Sequence, residues 1–264
     1  MQTSMPIGVF DSGQGGVSVL REIRARLAHE DLVYIADSAN VPYGGHDAAF
    51  IRERALVLGG HLVRGGCKAI VVACNTATAA AVPTLREQMP VPVIGMEPAV
   101  KPAAAATRSA VVGVMATIGT LRSARFAALL ERFGEGIEVI TEPCPGLVEQ
   151  VERGDFDGPA TCALIRRHLA PLRAAGADVI ILGCTHYPFV RGLIEAEAGP
   201  GVTVIDTGAA VARQVERRLD ELGLRSASPT PGTTRFHTTG DVGAFDRFLA
   251  AVWPGATAAS PLNV

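Results

Sequence analysis

Lysine is almost missing from this 264-residue chain, occurring only at Lys68 and Lys101. With the arginines scattered among acids and a net charge of −2, no basic face is available for nucleic acid, and none is expected as a partner. Neither lysine sits in a motif that would hold pyridoxal as a Schiff base, so no such cofactor is expected. A metal is equally unsupported. Residues 1–12 show no basic stretch followed by an apolar one, so a signal peptide is not expected, and the longest uncharged stretch, residues 69–85, is broken by Asn75, Thr76, Thr78 and Pro83. A membrane span is therefore not expected, and the chain reads as soluble and cytoplasmic. The five cysteines, at 67, 74, 144, 162 and 184, contain no CxxC pair, which fits neither a disulfide framework nor a zinc knuckle. They read as free thiols in a reducing compartment.

What the chain does have is alternation. Apolar, β-branched runs over 6–10, 32–36, 69–73 and 92–95 read as strands, with helices over 17–27, 48–64 and 77–88. The runs hardly alternate in polarity, as expected of parallel strands covered on both faces. The order then recurs, with strands over 110–116, 137–140, 178–182 and 202–205 and helices over 121–133, 159–175 and 187–198. Ile70–Thr76 aligns over Ile180–His186, and Val93–Gly95 over Val204–Asp206, so that Cys74 and Cys184 end corresponding strands. The expected fold class is α/β: two similar parallel-sheet domains related by pseudo-twofold symmetry, residues 1–98 plus 210–264 and residues 99–209, with a site in the cleft between them. A helix over 209–222, a possible strand over 234–237, a helix over 241–252 and a frayed tail over 256–264 close the chain.

Ligands of open α/β sheets bind beyond the carboxyl ends of the strands. Polar clusters fall at such ends: Asp11 and Ser12; Asp37 with Pro42, Tyr43 and Gly44; Cys74, Asn75 and Thr76; Thr117 and Thr120; and Cys184, Thr185 and His186. Cys74 sits between a strand and a helix, where free backbone amides and the helix dipole should favour its thiolate, and Cys184 holds the equivalent place. Alone, either cysteine would as often be a packing residue, Asp11 a helix cap, and Asp37 or Glu149 a solvated charge. The Gly-rich turn after Asp11 lacks the Lys-Ser/Thr ending of a P-loop. Two cysteines at matching positions, each with polar company, point to chemistry. Cys67, Cys144 and Cys162 read as structural.

The runs Ile7–Gly16, Ala36–Gly44, Val72–Ala77 and Ile181–Pro188, with Ala116–Thr120, closely resemble the glutamate racemases, in order and over roughly residues 7–215. The resemblance implies a cofactor-independent two-base exchange of the α-proton of glutamate, with Cys74 and Cys184 as the acid–base pair. It implies that Asp11, Ser12, Tyr43, Gly44, Asn75, Thr76, Thr185 and His186 contact the amino acid, and that Asp11, Asp37 and Glu149 are acidic helpers of the thiols. It further implies a homodimer and a D-glutamate product used for peptidoglycan. The rival readings are an aspartate or other racemase of the superfamily and a non-catalytic binding protein. Relatives acting on aspartate tend to carry Glu where His186 stands.

Overall fold

A computed structural model of the chain describes residues 2–264. The strands β1 (Ile7–Asp11), β2 (Leu32–Ala36), β3 (Ala69–Val72) and β4 (Val93–Ile94) alternate with α1 (Val17–Arg26), α2 (Ala48–Arg64) and α3 (Asn75–Gln88). After α4 (Val100–Ala106) come β5 (Val111–Ala116), α5 (Ile118–Leu121), α6 (Ala124–Phe133), β6 (Glu138–Pro143), α7 (Leu147–Glu152), α8 (Pro159–Ala174), β7 (Val179–Gly183), α9 (Arg191–Ala198) and β8 (Thr203–Ile205). The chain closes with α10 (Gly208–Glu221), β9 (Thr234–Thr238), α11 (Val242–Val252) and β10 (Ser260–Pro261).

The strands form two parallel sheets, in the orders β10-β9-β2-β1-β3-β4 and β6-β5-β7-β8. Every residue of β1, β2, β3 and β7 is buried, the burial that makes their sequences continuously apolar. The internal likeness is kept in the strand register. Ile70 pairs with Val93 across β3 and β4, and Ile180 pairs with Val204 across β7 and β8. Cys74 and Cys184 thus leave their sheets at equivalent points.

Besides the ends of α3 and β6, four readings of the sequence change. The helix expected over 121–133 is two helices, because Ser123 interrupts it and caps α6 by accepting the Phe126 N–H at 3.1 Å. The 187–198 helix begins as a 3₁₀ turn over Tyr187–Val190. The short helices α4 and α7 were not anticipated; each is about two turns or less, too brief for a clear period. The tail over 256–264 is not wholly frayed. Ser260 and Pro261 pair with His237 and Thr238, and Leu262 is buried against the first sheet's core. The segment after α10 returns to the first sheet, where β9 pairs along the full length of β2.

Candidate active site

Helix α3 starts two residues before the expected position, which makes Cys74 its cap. With extended backbone, Cys74 accepts the Ala77 N–H on Sγ at 3.4 Å. Its thiol also approaches Ser12 Oγ at 3.7 Å and interacts with Asp11. The expected helix-end assistance is real, but it is outweighed. Burial, followed by the Asp11 charge, pushes the Cys74 thiol well above its ordinary range despite the Ala77 N–H and the Ser12 hydroxyl. Cys184 is served differently. A 3₁₀ turn follows it instead of a helix end, and its Sγ faces Nδ1 of His186 at 3.6 Å.

His186 is buried, and its Nε2–H donates to Glu152 Oε1 at 2.6 Å. Burial opposes a charge on the ring, but the bonds to Cys184 and Glu152 overcome it, and the imidazole keeps its proton well above the usual range. Glu152 also accepts the backbone N–H of Gln14 at 2.6 Å. The carboxylate of α7 that meets His186 is Glu152; Glu149, the acid expected there, is exposed in the first turn. Helix geometry explains the correction. Val148 lines the cavity described below; Glu152 lies about 40° around the helix from it, and Glu149 about 100° away.

Asp11, at the end of β1, is fully buried. Its carboxylate accepts the N–H of Ser12 at 2.6 Å, the N–H of Gly16 at 2.5 Å and the Thr185 hydroxyl at 3.1 Å. Burial raises its proton affinity and prevails over the lowering influence of His186, Ser12 and Cys74.

Asp37 is buried but does not line the cavity. It is gripped by Arg54 through Nη2 at 2.7 Å and Nε at 3.0 Å, and by the hydroxyls of Tyr43 at 2.5 Å and Thr239 at 2.8 Å. Burial acts against its charge, yet these donors hold its carboxyl below the usual range, while burial and Asp37 push the Tyr43 phenol up. Asp37 thus anchors Tyr43, and among the described residues no hydrogen bond joins it to either thiol. Arg54 and Thr239 were not foreseen; no local motif marks either, and each arrives from a remote part of the chain.

Both cysteines line one cavity of about 10 Å³, together with Ser12, Pro42, Tyr43, Gly44, Asn75, Thr76, Thr117, Thr185 and His186. Thr120 stands just behind, hydrogen-bonded to Thr76 at 3.2 Å and Thr117 at 3.1 Å. Asn75 aims a buried side-chain amide with neither atom hydrogen-bonded among the described residues, a ready donor–acceptor pair for a polar ligand. The cavity has room for about one water. Contacts between the two sheet-bearing halves close it: Ser18 Oγ donates to Thr185 O at 2.8 Å, Thr76 meets Thr117 at 2.8 Å, and Gln14 reaches Glu152. A much larger cavity of about 860 Å³, walled by Arg86, Lys101, Arg125 and Arg213 among others, holds no thiol. Size does not identify the reactive site here; the chemistry of the lining does.

Among the described residues, no cluster of His, Cys, Asp and Glu is arranged to hold a metal ion, and no helix is long and apolar enough to cross a membrane.

The pattern of the Asp/Glu/hydantoin racemases matches residues 7–215. A glutamate racemase of Methylococcus capsulatus is 55% identical over 97% of this chain and 95% of its own length. The crystal structure of glutamate racemase isoform RacE1 from Bacillus anthracis has a TM-score of 0.86 at 32% identity, covering 98% of this chain and 97% of that one. That of a Francisella tularensis glutamate racemase in complex with D-glutamate has a TM-score of 0.80 at 30% identity, covering 94% of each. With the site's paired thiols and the length of these matches, the chain belongs to the Asp/Glu/hydantoin racemase family.

Proposed function

We propose that the chain is a glutamate racemase that moves the substrate's α-proton between Cys74 and Cys184 without a cofactor. The observation that carries this reading is that both thiols line one cavity, each with its own proton-handling company: Asp11 and Ser12 beside Cys74, His186 and Glu152 beside Cys184. Racemisation needs a base on one face of Cα and an acid on the other, and a thiolate–thiol pair supplies both. Cys74 takes the proton from D-glutamate and Cys184 from L-glutamate. In the L-to-D direction the His186 imidazolium supports the Cys184 thiolate, and the Cys74 thiol delivers a proton to the opposite face. Asn75, Ser12, Thr76 and Thr185 offer donors to the substrate's charged groups.

The closed cavity is far smaller than any amino acid, so the two halves separate to admit substrate and their mutual hydrogen bonds re-form over it. Bound D-glutamate in the related Francisella enzyme and the Cys-Thr-His sequence at 184–186 support glutamate over aspartate. The same reading carries a division into residues 1–98 plus 210–264 and 99–209, a homodimer, a cytoplasmic location, and delivery of D-glutamate to peptidoglycan synthesis.

The direct test follows the circular dichroism of L-glutamate with purified protein and no added cofactor. Decay of the signal to zero is the expected result; a signal that stays constant rejects the proposal. α-Proton exchange in deuterated water, run with glutamate and with aspartate, separates the two substrates.

A further inference from the structure

Behind the reactive loop stands Tyr34, which the proposed reaction does not use. It lies on β2, fully buried, with its ring centroid 6.4 Å from that of Phe236 and 6.1 Å from that of Phe245 in the returning C-terminal segment. Its hydroxyl donates to the carbonyl oxygen of Gly13 at 2.7 Å. That carbonyl belongs to the same planar peptide as the N–H of Gln14, which donates to Glu152 Oε1 at 2.6 Å. Glu152 in turn accepts from His186 Nε2, and His186 Nδ1 faces Cys184.

We propose that Tyr34 is a positioning residue for Cys184, acting across the interface of the two halves through the Gly13–Gln14 peptide, Glu152 and His186. A peptide cannot rotate one end without the other, so a hydroxyl fixed on its oxygen aims its N–H. A hydrogen bond accepted at C=O also polarises the N–H and strengthens what it donates. The loop fits because it has no side chains in the way: a Cβ on Gly13 would lie 2.2 Å from Glu152 Oε1, and one on Gly15 would lie 2.4 Å from His186 Nδ1. The Cys74 side of the site is tied to the same loop through Asp11 and the N–H groups of Ser12 and Gly16, and the Tyr34 hydroxyl also lies against Gly16. The chain of hydrogen bonds from Tyr34 through the Gly13–Gln14 peptide ends at Cys184, so Cys184 takes the larger effect.

This inference rests on the proposed reaction for its meaning in catalysis, but its main readout needs no substrate. The pH dependence of iodoacetamide alkylation at Cys74 and at Cys184 is followed by peptide mass spectrometry in the wild-type protein, Tyr34→Phe and Gly13→Ala. Without a fixed Gln14 N–H, Glu152 loses the contact that seats its carboxylate against His186; the carboxylate swings away from Nε2–H, and the imidazolium beside Cys184 is lost at lower pH. In both variants the Cys184 midpoint should rise by roughly half a pH unit or more, while that of Cys74 moves clearly less. In the racemisation assay kcat should fall about ten-fold with KM within about two-fold. A Tyr34 that merely packs would lower the melting temperature and leave both alkylation profiles unchanged, and that outcome overturns the proposal, as does an equal shift at both thiols. Should Tyr34→Phe not fold, fluorotyrosine introduced at position 34, which keeps the ring and changes the acidity of the hydroxyl, decides instead by the same two profiles. If the wild-type protein fails to racemise glutamate, the proposed reaction falls, and the alkylation profiles still decide the role of Tyr34.

Discussion

Glu152 and His186 are joined by a 2.6 Å hydrogen bond, and both are shielded from water in the cleft. The bond fixes the imidazole so that its other nitrogen faces Cys184, and Cys184 and Glu152 together keep the ring protonated against its burial. Glu149, three residues earlier, takes no part in it.

This difference separates two substitutions that look alike on paper. Glu152→Gln should lower kcat about 100-fold, whereas Glu149→Gln should stay within about two-fold of wild type. Because L- and D-glutamate are equal in free energy, kcat/KM must fall equally in the two directions. The affected step is identified instead by primary deuterium isotope effects measured from each enantiomer.

Cys74→Ser and Cys184→Ser should each reduce racemisation to less than about one-thousandth, since a serine hydroxyl is far too weak an acid to replace a thiol near neutral pH. Polarimetry or circular dichroism reads this directly. Either variant with near-normal turnover defeats the two-thiol scheme. In the wild-type protein, saturating glutamate should protect Cys74 and Cys184 from alkylation and leave the rate at the half-buried Cys162 unchanged.

The His186 proton makes stability depend on pH in a defined window. Its folded value is raised above 6.5, so its contribution is fully present below that pH and is lost as the pH climbs through the folded value. Removing the Glu152 charge takes away one of the two groups that raise it. The alkaline fall in melting temperature should therefore begin at lower pH in Glu152→Gln than in wild type, as thermal denaturation between pH 6 and 10 would show.

Asp37 works in the opposite direction. Its folded value lies below 3.8, so its contribution is present above that pH and is lost as the pH falls through the folded value. Asp37→Asn leaves the largely buried Arg54 without its partner and should destabilise the fold by about 2–3 kcal/mol at neutral pH. The gap to wild type should narrow in acid. Chemical denaturation at pH 7 and pH 3.5 measures both.

Gly15→Ala places a methyl group against the His186 ring, which has no free volume to yield into. A loss of about 1–3 kcal/mol in stability is expected, with a deeper loss in kcat than the change in folding alone accounts for.

Much of the fold was open to inspection in the residues themselves. Continuous apolar runs such as Ile70–Ala73 and Ile180–Leu182 announce buried parallel strands, because burial on both faces demands apolar side chains at every position. The boundary at Cys74 was harder, since the residue that ends a strand there also caps a helix. The edge strand β6 extends to Pro143 through the polar Thr141 and Glu142, which carry no strand signature because that edge is partly exposed. Within the site, the residues with neighbours in sequence motifs were legible: Ser12, Tyr43, Asn75, Thr76, Thr185 and His186 all line the cavity. The ones missed act through distance. Arg54 meets Asp37 from α2, Thr239 meets it from beyond β9, and Glu152 meets His186 from α7, a helix of under two turns that hid which carboxylate faced inward.

The linear order of residues alone determined that two parallel α/β halves exist and that a cysteine closes the matching strand of each. Both facts follow from local burial patterns, which leave their mark position by position. Only the folded chain decided which acid stands beside which thiol, and that helix-end assistance at Cys74 is overcome by burial. Those outcomes depend on the directions of side chains and on exclusion of water, and neither exists until the two halves meet.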